Sequence, residues 1–445
     1  MKPLLFGLFE NAQANDSGTA AWRHPDHARI GFDRLAYWSD IARICEDGGL
    51  HWLFLADAWG WAEIEGARPD VCSAESLDLP RLDPAIVLAA IMPQTRRLGL
   101  VFTGSTLVEA PYAFARRVAT LDHLSGGRIG WNVVTTGTAE TAAAAFGIDM
   151  VDHDRRYDMA DDFMELAYKL FEGAWEPGAL ERDRQGRFAD PAKVHRVRHE
   201  GPFFSCDGYG NASYSPQGTP VLFQAGSSDR GITFASRHAE CVFLGGGDAG
   251  SLRRQSQTLR AEASAFGRTD PKIVCAFSCV VGDTEVDAWA KRRRQLEAQR
   301  SEVAAASYAM FTGLDLSAID RGTLMRSLAT ELSRTQLDRF KDCTVGDVLD
   351  RWHENGVRPA PIVGTAVQIA DALCELADEA ELDGFMLTPI VQPSSTIDFV
   401  EHVLPVLRER GAVRPIGGAS TLRETFFDRG PHLPSDHPGA AFRSR

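Results

Sequence analysis

Residues Arg116–Thr136 read RRVATLDHLSGGRIGWNVVTT. From Ala113 to Leu124 apolar residues recur at helical spacing, as Phe114, Val118 and Leu121. Ser125-Gly126-Gly127 then stops the helix, because glycine enters left-handed backbone conformations without steric cost. Ile129–Val134 is a short, partly β-branched apolar run, as expected of a strand buried on both faces. Its polar neighbours gather at its end: Asn132, Thr135 and Thr136. A helix, a glycine turn and a buried strand with a polar end make one step of an α/β barrel. The strand C-termini of such barrels build the active site. Asn132 and the two threonines are therefore expected to face a ligand; the plainer alternative is that Asn132 ties down a turn.

Working outward, seven further strand-like runs repeat the pattern: Leu4–Phe9, Trp52–Ala56, Leu98–Thr103, Val221–Ala225, Cys241–Leu244, Ile273–Val281 and Phe385–Thr388. Helices are expected at Phe32–Gly48, Pro84–Thr95, Val151–Glu172, Val367–Leu382 and Ile397–Arg408. Eight strands alternating with helices predict a (β/α)8 TIM barrel, a single domain over residues 1–445. A doubly wound open sheet is the competing topology. It is weakened because no GxGxxG follows the first strand; Gly245–Gly250 fits that pattern but follows the sixth strand and reads as a turn. Two insertions interrupt the repeat. Residues 176–218 are charged and rich in glycine and proline, read as a lid or a small ordered excursion. Residues 284–350 are mostly helical. The stretch 411–445 is a tail expected to wrap a neighbour or the barrel surface.

The 445 residues are 44% hydrophobic and 24% charged, an ordinary globular composition. A net charge of −14 argues against nucleic acid as a partner. No apolar run approaches the ~20 residues of a membrane helix, and the N-terminus reads as a first strand and not a signal peptide. A cytoplasmic location is expected. The eight cysteines contain no CxxC pair and read as reduced, packed thiols; Cys275 and Cys279 are expected on one face of the seventh strand. The histidine pairs His24/His27 and His195/His199 have metal-compatible spacing, but neither has the HExxH glutamate and Arg196 and Arg198 sit inside the second. No metal is assigned.

Gly226-Ser227-Ser228-Asp229-Arg230-Gly231 follows the fifth strand and opens a helix at Ile232–Arg237. Unpaired N–H groups, helix dipole and serine hydroxyls together make a phosphate site; a simple helix cap would need only one such residue. His153 and Tyr157 lie one turn apart and share a face. Asp57, Thr103 and Asn132 end strands two, three and four, which barrel geometry converges on one mouth. Trp59 and Trp61 are candidates for an aromatic pocket wall; Trp52, inside a strand, reads as packing.

TLDHLSGGRIGWNVVT resembles the signature of flavin-dependent monooxygenases related to bacterial luciferase, in the branch of the nitrilotriacetate, pristinamycin, dibenzothiophene-sulfone and long-chain alkane enzymes. AWRHPD (21–26), FLADAWG (54–60), HDRRYDMADDFMELAYKLFEGAW (153–175), SPQGTPVLFQAGSSDRG (215–231), HAECVFLGG (238–246) and DGFMLTP (383–389) extend the likeness along nearly the whole chain. The resemblance implies the oxygenase component of a two-component system that uses reduced FMN and O2 on a small organic substrate: an amine, organosulfur compound, alkane or aromatic or heteroaromatic compound. It implies a separate NAD(P)H:flavin reductase and a homodimer or homotetramer. It makes Ser227 and Ser228 ligands of the flavin phosphate, and His153 and Tyr157 flavin ligands, Tyr157 near the phosphate. It makes Asp57, Thr103 and Asn132 contacts of the ring or ribityl portion, with Ser105 a lesser candidate and Asn132 the candidate for orienting the flavin peroxide. The alkane enzyme's histidine after WNVVT is Gly137 here, and its loop cysteine and histidine are Gln13 and Asp16, so no catalytic acid is carried over. The alternatives are a non-catalytic flavin-binding protein and an oxygen-independent hydrolase or lyase on the same barrel.

Overall fold

Eight strands close on themselves. The computed structural model describes residues 2–443 except 16–18, 64–65, 137–138, 227, 270, 329–339 and 419–420. The barrel strands are β1 (Leu5–Asn11), β2 (Trp52–Ala56), β3 (Gly99–Ser105), β4 (Ile129–Val134), β5 (Val221–Gln224), β6 (Cys241–Leu244), β7 (Lys272–Phe277) and β8 (Gly384–Leu387). All neighbours are parallel, and β8 pairs with β1 to complete the ring. The open doubly wound alternative is thereby excluded. Helices α1 (Leu35–Gly48), α2 (Pro84–Ile91), α3 (Pro111–Ser125), α4 (His153–Tyr168), α5 (Asp229–His238), α6 (Ala249–Ala265) and α7 (Ala366–Ala380) alternate with the strands.

The helix, glycine turn and strand of residues 113–134 form as expected. Helix α3 ends in a left-handed Gly126 (φ 70°) followed by a left-handed Gly127, whose N–H bonds Asp122 O at 2.8 Å. β4 follows after one residue. Alternate strand residues divide between two apolar layers: Trp52, Phe54, Val101, Phe223 and Met386 fill the barrel, while Leu53, Leu55, Leu100 and Leu222 meet the helices.

Two expectations need correction. The run Ile273–Val281 is not one strand. Ser278 bonds Thr388 O at 2.7 Å, and Cys279–Val281 leaves the barrel to pair with Ile362–Gly364, so Cys275 and Cys279 do not share a strand. The 176–218 excursion joins the end of α4 to the start of β5, so it leaves and rejoins the barrel at the end opposite the mouth. It forms a hairpin, Arg196–Glu200 with Ser205–Tyr209, clasped to the outside of α4 by Asp162. It is the ordered excursion, not the lid. The 284–350 insertion carries helices Glu285–Glu297 and Glu302–Thr312 and the start of Val345–Asn355, with its own cluster around Tyr308, Met325 and Trp352.

The tail turns under the barrel. Leu422, Phe426 and Phe427 pack among the first residues of the strands, with Phe426 5.1 Å from the Trp52 ring. Arg423, fully buried, pairs with the equally buried Glu240 at 2.8 Å and bonds the carbonyls of Gln217, Thr219 and Pro431. Trp52 is a core residue, as its strand position implied.

Candidate active site

The mouth is built where parallel strands end side by side. Register places Thr103 beside Asn132, and Asn132 Nδ2 donates to Thr103 Oγ1 at 3.0 Å. Both are buried, and Asn132 Oδ1 has no hydrogen-bond partner among the described residues. An orphaned buried acceptor costs ~1–3 kcal/mol, so it calls for a ligand N–H.

Asp57 follows β2 and is nearly buried. Its Oδ1 accepts the Ala58 N–H at 2.9 Å and lies 3.7 Å from Arg81. Burial pushes its carboxyl up to about 6, with Arg81 opposing. Arg81 escaped the sequence reading: it sits in an irregular segment, held by the carbonyls of Asp78 and Ala58. Ser105 is engaged by Thr136, whose positive φ of 71° is rare for a β-branched residue. Ser105 and Thr136 therefore brace the β3–β4 end. Gln224, buried at the end of β5, accepts the Gly226 N–H at 2.7 Å. It carries the same strand-end polar signal as Asn132. Glu10 near the end of β1 is also polar and fully buried, joined to Arg29 and Gln392.

A second cluster forms beside this one. Ser228 caps α5 by accepting the Gly231 N–H at 3.1 Å, and its hydroxyl lies 3.4 Å from His153 Nε2. Tyr157 packs against His153 with ring centroids 5.3 Å apart. A side chain at Gly231 would meet the Tyr157 hydroxyl at 2.8 Å, and one at Gly226 would come within 2.9 Å of Gly231 Cα. Glycine at both positions thus lets the turn pack closely against α4, with the N-terminal end of α5 beside His153 and Tyr157, the place where a helix favours an anion. Ser227 lies outside the described residues, as do Gly137 and Asp16. Gln13 is buried and donates to Leu77 O at 3.3 Å.

Two features are therefore present: a donor–acceptor pair with one unanswered oxygen, and a helix N-terminus framed by Ser228, His153 and Tyr157. A flavin mononucleotide, with N–H and carbonyl groups on one end and a phosphate on the other, fits both. The histidine pairs are elsewhere engaged: His27 is buried against Ala14 O, His195 bonds Glu176, and His199 bonds Asp162.

The sequence profile described as "Luciferase-like monooxygenase" matches residues 1–383. The chain belongs to this family. Its relatives include the long-chain alkane monooxygenase of Geobacillus thermodenitrificans (strain NG80-2), 37% identical over all of this chain and 98% of that one. The dimethyl-sulfide monooxygenase of Hyphomicrobium sulfonivorans is 33% identical, over 99% and 94% of the two chains. Among solved structures, a riboflavin lyase holding a modified FMN and its substrate riboflavin superposes with a TM-score of 0.96. It is 64% identical over the whole of both chains. The family membership makes this barrel a monooxygenase scaffold, and the mouth just described is where such a scaffold works.

Proposed function

We propose that this luciferase-like protein is the oxygenase component of a two-component FMN-dependent monooxygenase, and that its substrate is riboflavin. The observation that carries the substrate is the 64% identity to the riboflavin lyase, against 33–37% for the alkane and dimethyl-sulfide enzymes. An aromatic wall at the mouth supports a planar substrate: Trp59, partly exposed, meets Phe146 edge-on at 5.2 Å.

Reduced FMN, when bound, supplies the two electrons that activate O2. Asn132 and Thr103 would hold the ring edge, and the α5 turn with Ser228, His153 and Tyr157 would hold the phosphate. Asp57 and Arg81 line the same mouth. Riboflavin carries its sugar chain on a ring nitrogen through a CH2 group. One oxygen atom enters a C–H bond of that CH2; the other leaves as water with the electrons and protons of reduced FMN. The resulting N–CH(OH) group collapses: the C–N bond breaks, the hydroxyl proton passes to the ring, and an aldehyde sugar departs.

A separate reductase fits a chain whose one barrel carries no GxGxxG after its first strand. A cytoplasmic setting fits its eight free cysteines, and no described helix is long and apolar enough to cross a membrane. Exposed Leu35 and Ile86, beside Trp38 and Val87, form an apolar face on α1 and α2 that suits association of two copies.

The test supplies photoreduced FMN, O2 and riboflavin, and separates products by chromatography and mass spectrometry. The expected outcome is a dealkylated ring and a five-carbon aldehyde, formed only with both reduced FMN and O2. Unchanged riboflavin, with oxidation of dimethyl sulfide or a long alkane, overturns the substrate assignment.

A further inference from the structure

The phosphate cradle is assembled from two helices, and neither half is covalently near the other. His153 and Tyr157 belong to α4; Ser228 and Gly231 belong to the turn that opens α5. Their mutual position must be fixed by contacts between the helices. His153, Tyr157 and Asp161 recur every four residues and so form one stripe on α4 facing α5. Tyr157 meets Phe234 at 5.6 Å, an apolar contact that resists sliding only weakly.

Asp161 supplies the polar tie. Its Oδ2 accepts from Arg230 Nη2 at 2.9 Å, in the first turn of α5. Its Oδ1 accepts from His238 Nε2 at 2.8 Å and lies 3.4 Å from Arg237 Nη1, both in the last turn. One carboxylate thus grips both ends of a ten-residue helix, which fixes its shift along its axis as well as its roll. His238 is itself held from behind, since Tyr168 Oη donates to its Nδ1 at 2.9 Å. Arg230 is also drawn toward Asp158 at 2.7 Å. These ties hold its guanidinium against α4, where a cation in a first turn would otherwise oppose the helix dipole. The adjacent Asp162 points elsewhere: it accepts from the Phe203 and Phe204 N–H groups and His199 of the outer hairpin.

We infer that Asp161 is a positioning residue for the phosphate end of the flavin site, setting where the α5 turn stands against His153 and Tyr157. The inference rests on the flavin reading above. Its sign separates it from simple electrostatics. Removing a negative charge near an anion site would tighten FMN binding; loosening the cradle weakens it.

The experiment titrates oxidised FMN and, separately, riboflavin into wild-type, Asp161→Asn and Asp162→Asn proteins by flavin fluorescence. Asp161→Asn is expected to weaken FMN about tenfold, the scale of a lost charge-assisted hydrogen bond, and to leave riboflavin, which has no phosphate, unmoved. Asp162→Asn is expected to lower the melting temperature without changing the ratio of the two affinities. FMN binding unchanged or tighter in Asp161→Asn overturns the inference, and so does equal weakening of both ligands. No FMN binding to the wild-type protein overturns the flavin reading instead. If Asp161→Asn does not fold, Arg237→Gln, half-exposed and at the far end of α5, removes one tie; FMN affinity unchanged there overturns the inference.

Discussion

Asn132 donates its amide to Thr103 across the β3–β4 register at 3.0 Å, and its own Oδ1 is buried with no partner among the described residues. A structural asparagine would satisfy both ends. Asn132→Leu is therefore expected to change stability by no more than about 1 kcal/mol, because the lost bond is offset by removal of an orphaned acceptor. Turnover is expected to fall by ~10²-fold, the scale of losing an oriented polar contact in an active site. Denaturant unfolding and single-turnover kinetics on the same preparation separate the two. A large loss of stability with normal turnover in the folded fraction would make Asn132 a framework residue.

The cradle gives a sharper test at Ser228. Its hydroxyl caps α5 and stands 3.4 Å from His153. Ser228→Glu places a carboxylate where the phosphate would lie. FMN binding is expected to weaken by at least ~2 kcal/mol, through charge repulsion and loss of a charged hydrogen-bond site. Calorimetric titration measures this directly. Wild-type affinity in the variant would put the phosphate elsewhere.

Asp57 makes the mouth sensitive to pH. Burial raises its carboxyl from the ordinary 3.8 to about 6. The folded protein therefore holds this proton more tightly than the unfolded chain does. The stability so gained is complete below about pH 4 and is lost as pH rises through about 6, on the order of 2–3 kcal/mol. Asp57→Asn is expected to flatten that part of the stability profile and to remove an inflection near pH 6 from turnover. Matching profiles for wild type and variant would show that the carboxyl titrates normally.

Much of this was readable from the chain because the barrel's grammar is local. Each strand is a short apolar run, and polar residues at its end announce the mouth. Thr103 and Asn132 were found that way, and Gln224 and Glu10 carried the same sign. What escaped depended on contacts distant in sequence. Arg81 reaches Asp57 from an irregular segment with no period to mark it. The break after Phe277 is marked in the run only by Ser278, whose bond to the distant Thr388 sets it. Asp161 looks like any surface carboxylate until α5 is laid against it.

The tail was the least readable element, since glycine, proline and arginine conceal the three apolar residues that matter. Arg423 is the pin. It is fully buried with Glu240, and its charge holds the Glu240 carboxyl well below its ordinary range, against a burial penalty that would raise it. That stability is present above the ordinary glutamate pKa and is lost as pH falls below it. Removing one partner leaves the other charged in the dry floor of the barrel. Arg423→Met is therefore expected to destabilise the fold by ~3–5 kcal/mol. Adding Glu240→Met removes the stranded charge and is expected to restore a large part of the loss. Urea unfolding of the single and double variants measures both steps. A single variant near wild-type stability would mean that Leu422, Phe426 and Phe427 anchor the tail by burial alone.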